Sequence, residues 1–204
     1  MRLDAKSARR IVTGSLKAQY DEIREAMDTL FAGSKRGFPQ KGNRFRRRIE
    51  EDIQKTFGDA FLGGGWHSRT YLAFIFEILG SNDGKPSQLA ITAFSYNTRS
   101  DVEQIHELAW ITMHAMERLL ERRRDTDLIR LARDEFDVEF IKNLLFSENG
   151  PPLLPNEEFK VKTKNGWACG IVDPGYGIPT VRTWIHKPGG WPKTDSDSTQ
   201  SPAD

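Results

Sequence analysis

His114 stands in the segment Ile111-Thr112-Met113-His114-Ala115-Met116-Glu117-Arg118, with Arg122 and Arg123 one turn further on. If this stretch is helical, residues four apart share a face, and the imidazole of His114 lines up with the guanidinium groups of Arg118 and Arg122. An imidazole exchanges protons near neutrality. Guanidinium groups hold phosphate oxygens through a planar fork of donors. Proton transfer beside a held phosphate is therefore the chemistry this set would do. The same residues also suit a solvated helix face, with Glu117 and Glu121 as ion-pair partners, and such pairs are individually worth little. Both readings stand on the sequence.

Two further groups bear on nucleic acid. In a strand over Thr180–His186, Val181, Thr183 and Ile185 share one face and Arg182, Trp184 and His186 the other. If Val181 and Ile185 are core, the outer face shows Arg182, Trp184 and His186, an indole beside basic groups. That is either a stacking platform for an unpaired base or an ordinary sheet surface. Arg44, Arg46, Arg47 and Arg48 fall in the opening turn of a helix starting at Asn43. Cations there oppose the helix dipole at about a few tenths of a kcal/mol each, so that turn asks for something to offset them.

The elements that must position these residues follow from periodicity. Leu16, Tyr20, Ile23, Met27, Leu30 and Phe31 predict an amphipathic helix over 15–32, with Gly33 as its C-cap. Phe45, Ile49, Ile53 and Phe57 predict a second helix from the N-cap Asn43. Gly63-Gly64-Gly65 breaks the helical pattern. The alternation over Thr70–Leu79 is apolar on both faces, as a central strand requires, and Gln88–Tyr96 returns as its hairpin partner. Ser100 with Glu103 reads as a capping box for a short helix from Asp101, and Leu108–Thr112 fits helix or strand. Helices are expected over His114–Arg124, after a Thr126 cap to Phe136, and after an Asp137 cap to Phe146. Phe159–Thr163 and Trp167–Val172 flank an Asn165-Gly166 turn, and Thr180–His186 closes a meander.

The class is thus α+β: an antiparallel sheet made of a hairpin and a C-terminal meander, with helices on one face and a basic helical N-terminal extension. The expected division is 1–62 for that extension, 63–186 for the α+β domain and 187–204 for a disordered tail.

Charge adds a partner class. Residues 1–48 hold 13 Lys or Arg against 5 Asp or Glu, while residues 49–204 hold 17 against 24, although the whole chain is only +1. Such a split points to an arm that touches nucleic acid, or to one that docks on the acidic body or on an acidic protein. Apolar runs such as Tyr71–Phe76 are too short to span a bilayer, and the single Cys169 allows neither an internal disulfide nor a multi-cysteine zinc site. A cytoplasmic setting is expected, with no metal site and no cofactor.

From Leu108 to His186 the chain resembles small toxin-like domains. The shared features are His114-Ala115-x-x-Arg118, then Arg122 or Arg123, then the meander 159–186 with Thr183-Trp184-Ile185 in its last strand. Such domains are grouped with RelE-type and barnase/EndoU/colicin-type ribonucleases. The resemblance implies a strand at Leu108–Thr112 and a metal-independent ribonuclease. In it His114 is the general acid/base, Arg118 and Arg122 hold the phosphate and Thr183 donates to its oxygens. It also implies RNA as substrate and a neutralising protein partner. The other expectations are a non-enzymatic nucleic-acid or protein adaptor working through Arg44–Arg48, and an assembly protein using oligomer contacts.

Overall fold

A computed structural model of the chain describes residues 3–34, 43–81, 85–97, 102–123, 126–146 and 154–186, with side chains for all of these except 29–34, 43–45, 97 and 102–105. The expected tail therefore lies outside the described residues, as do Ser100, Asp101 and the Arg44 side chain.

The chain opens with α1 (Ala5–Ser34), which starts ten residues before the expected helix. Asp4 accepts from the Ser7 amide at 2.7 Å, and Ala8, Val12 and Leu16 then recur at four-residue spacing, each with no exposed surface. A 15-residue α2 (Asn43–Phe57) and a 3-10 turn, Gly58–Ala60, lead into β1 (Phe61–His67). The triple glycine thus lies inside a strand. β2 (Thr70–Gly80) and β3 (Pro86–Asn97) form the expected hairpin. β4 (Val102–Thr112) replaces the expected short helix and settles the open reading of Leu108–Thr112 as strand.

Three helices follow: α3 (Met113–Arg123), α4 (Leu128–Glu135) and α5 (Val138–Leu145). Asp127, not Thr126, caps α4 by accepting from Arg130 N at 3.2 Å, while Asp137 caps α5 as expected. The meander is β5 (Glu158–Lys162), β6 (Gly166–Val172) and β7 (Pro179–His186).

Among the described residues the seven strands belong to one sheet in the order β1-β2-β3-β4-β7-β6-β5. The α+β class holds, and the sheet is mixed, because β4 meets β7 in parallel through Trp110↔Thr180 and Ile111↔Val181. On β2 the buried positions run Tyr71, Ala73, Ile75 and then Phe76, Ile78, so the buried parity changes midway, while Leu72 on the other parity is exposed. Ala8, Val12 and Leu16 of α1 belong to the same buried cluster as Phe76, Ile91, Leu119 and Trp184. Among the described residues no helix is long and apolar enough to cross a membrane.

Candidate nucleic-acid interface

The meander takes its shape from two close approaches. Thr163 N bonds to Gly166 O at 2.9 Å and closes the β5–β6 turn. Between β6 and β7 the pairing slips: Cys169 faces Thr183 but Gly170 faces Val181, which leaves Arg182 as an extra, bulged residue. Gly170 is what lets the strands close there. A Cβ on it would stand 2.0 Å from the Thr180 carbonyl oxygen and 2.8 Å from the Phe159 ring.

The bulge breaks the alternation on which the outward placement of Trp184 rested. Val181 and Trp184 both turn inward, each with no exposed surface. The Trp184 indole donates to Thr163 Oγ1 at 3.1 Å, and that hydroxyl donates to Glu135 Oε2 at 2.8 Å. Glu135, itself fully buried, also accepts from the Asn165 amide and side chain, and Arg123 stands 3.1 Å away. Trp184 is therefore a core anchor and not a stacking platform. His186 follows it, its ring 5.5 Å from that of Trp184 and its Nδ1 3.1 Å from Asn165 O.

The same bulge sends Thr183 outward beside an exposed Arg182. In register with them stand Lys160 and Cys169 in one row and Lys162, Trp167 and Ile185 in the next. Phe159 and Val161 point into the core, so the Lys160 and Lys162 stems rise from the outer surface by simple alternation. Lys160 Nζ sits 4.9 Å from the centre of the Trp167 ring. Glu158, Lys160, Cys169, Arg182 and Thr183 line an open groove of about 520 Å³. Burial pushes the Cys169 thiol up, and the charge of Lys160 pulls the other way. Among the described residues neither Lys162 nor the Arg182 guanidinium meets an acid or a hydrogen-bond acceptor.

The helical set is arranged differently. Thr112 caps α3 by accepting from Ala115 N at 3.3 Å, and its hydroxyl lies 3.4 Å from Arg182 O. His114 is half exposed in the first turn, with Nδ1 3.7 Å from Glu117. Arg118 is paired with Glu121 at 2.8 Å. Arg122 donates to Trp184 O at 2.7 Å and so staples α3 to β7. The ion-pair reading thus describes Arg118, and Arg122 has a structural bond. Ala115, Met116, Leu119 and Leu120 of α3 belong to the same buried cluster as Val181 and Trp184, so α3 packs on the side of β7 opposite Thr183. The four residues of the expected catalytic set do not meet at one point.

Arg46, Arg47 and Arg48 of α2 each meet a partner inside the molecule. Arg47 pairs with Glu51 at 2.8 Å and Arg48 lies 3.8 Å from Asp52, each one turn on. Arg46 donates to Ser68 O in the β1–β2 turn and lies over the Trp66 ring at 5.2 Å.

Sequence reasoning found Arg182 and Thr183 but missed Lys160, Lys162 and Trp167. The signal was present: Glu-Phe-Lys-Val-Lys alternates strictly, and Trp167 opens the partner strand after the Asn-Gly turn. Among the described residues no group of three or more His, Cys, Asp or Glu is placed to hold a metal ion. Set against models of known protein families, curated proteins and solved structures, the chain matches none, so its function rests on this geometry alone.

Proposed function

We propose that this chain binds RNA through the outer face of β5–β7. The observation that carries the reading is the Lys160–Trp167 pair on the outer face of the edge hairpin β5–β6, with Lys162 in register with Trp167 and Arg182 exposed on β7. A strand face of this kind offers an indole for a base and cations for the adjoining phosphates, with Thr183 as a hydroxyl partner. Fluorescence anisotropy with a labelled single-stranded RNA tests it. Trp167→Ala is expected to cost roughly 1–3 kcal/mol, the range for removing one stacked base. Lys162→Ala and Arg182→Ala each weaken binding and flatten its salt dependence, because each lost phosphate contact releases fewer counterions. Arg47→Ala, whose charge is answered within α2, leaves binding nearly unchanged. Indifference to both Trp167 and Arg182 would exclude this face.

A second reading, RNA cleavage with His114 as general acid/base, has one observation in its favour. Thr112, two residues before His114, lies with its hydroxyl 3.4 Å from the backbone oxygen of Arg182, so the first turn of α3 is tied to β7 at that residue. Metal-free cleavage in EDTA that is lost in His114→Ala, with RNA affinity retained, would support it. A folded wild-type protein that binds RNA without cutting it leaves the binding role alone.

A further inference from the structure

Glu135, the last residue of α4, has no exposed surface. Among the described residues four donors reach its carboxylate, two on each oxygen. Thr163 Oγ1 at 2.8 Å and the Asn165 amide at 3.0 Å meet Oε2. The Asn165 side chain at 2.6 Å and Arg123, the last residue of α3, at 3.1 Å meet Oε1. A carboxylate has about four acceptor sites, so this one is saturated. Burying an ion pair is costly, and apolar residues of similar volume often stabilise a core equally well. Stability alone therefore does not ask for an acid here. Its bonds do fix a geometry. Thr163 continues the inward alternation of Phe159 and Val161 and reaches Glu135 from the core side, while Lys162 between them points out. Thr163 and Asn165 lie in the β5–β6 turn, directly beyond the strand pair Lys162↔Trp167.

We infer that Glu135 is a positioning residue for the RNA interface: by clamping the β5–β6 turn from the core side it sets where Lys162 and Trp167 stand on the outer face. The consequence for binding rests on the RNA reading above, and the clamp itself rests on the four bonds. A face held in place before RNA arrives has less to order on binding. Charge and positioning predict opposite signs for Glu135→Gln. Removing a negative charge behind a cationic surface would by itself tighten RNA binding. Positioning predicts a loss. Whichever way the new amide turns, its nitrogen meets either the Asn165 backbone N–H or the Arg123 guanidinium, and both are donors only. Adding Asn165→Asp puts a carboxylate beside that nitrogen and beside Arg123, so the double variant regains the matched set.

The test is RNA anisotropy and amide hydrogen exchange on the full chain, well below the melting temperature. Glu135→Gln is expected to weaken single-stranded RNA at least about tenfold, a loss of about 1.4 kcal/mol. The salt slope should not change, because no phosphate contact is lost. Exchange should quicken over residues 158–172 while β2 and β3 keep their protection. Glu135→Gln with Asn165→Asp should recover both affinity and slow exchange. Val12→Ala, buried in α1, should lower the melting temperature and move neither readout, which separates positioning from general loss of stability. Should Glu135→Gln not fold, Thr163→Val removes one of the four bonds at similar volume and should give a smaller loss of the same sign. RNA affinity unchanged or tighter in the variant that folds overturns the inference. So does a double variant no better than Glu135→Gln, or Val12→Ala reproducing both losses. A wild type that does not bind RNA ends the interface reading, and exchange then judges the clamp alone: unchanged exchange over 158–172 overturns it.

Discussion

Glu77 shows how a single side chain can set a pH dependence. It lies half-buried on β2, and Thr92 donates to its carboxylate at 3.1 Å. Burial lifts its carboxyl above the ordinary 4.5, the Thr92 bond opposes the lift, and the charge of Glu107 adds to it. In the unfolded chain the group is ordinary, so the folded state holds the proton more tightly. Its stabilising contribution is present below the unfolded value and is lost as pH rises through the raised folded value. Glu77→Gln removes that loss. The variant should therefore gain on the wild type as pH climbs from about 4 to 7, read as a growing difference in urea midpoints. Parallel profiles would show that Glu77 titrates normally. At the same scale, the proposed interface was half legible. Arg182 and Thr183 were visible as candidates, but Trp184 was assigned outward because nothing in six residues of sequence announces a bulge.

Bulges also explain the largest misreading of an element. The short helix expected from Asp101 rested on Ser100 and Glu103 as a capping box. The strand that stands there slips twice in its register with β3, with Glu103 and Leu108 left as extra residues. Such slips break the simple alternation by which a strand is recognised in sequence. The hairpin β2–β3, with no slip from Thr70↔Asn97 to Leu79↔Gln88, was legible for the converse reason. Glycines give this scale its test. A Cβ at position 170 meets backbone, which cannot swing aside, whereas at Gly65 nothing lies within 4 Å. Gly170→Ala should destabilise by at least the roughly 1–3 kcal/mol typical of overpacking, while Gly65→Ala stays near neutral, compared by urea denaturation. Equal effects would mean that the β6–β7 approach is looser than the register implies.

The whole molecule is two runs of strands joined at a narrow seam. β1–β4 pair in chain order and β5–β7 likewise, and among the described residues the backbone pairing between the two runs is Trp110↔Thr180 and Ile111↔Val181, with the Thr112 hydroxyl 3.4 Å from Arg182 O beside it. Much of the joining falls to α3, whose Arg122 holds Trp184 O. Arg122→Ala should speed amide hydrogen exchange in β5–β7 while β2 and β3 keep their protection, because local opening follows the weakest contacts. Uniform loss of protection would instead mark a single cooperative sheet. The order of strands was not readable beforehand, since a parallel contact across 70 residues leaves no local trace. That separation also has a meaning in time. On a ribosome adding 5–20 residues per second, β4 is complete roughly 4–14 s before the strand that covers its edge has been made. The newborn chain spends that interval with Trp110 and Ile111 on an open flank, and β7 arrives last as the piece that closes it.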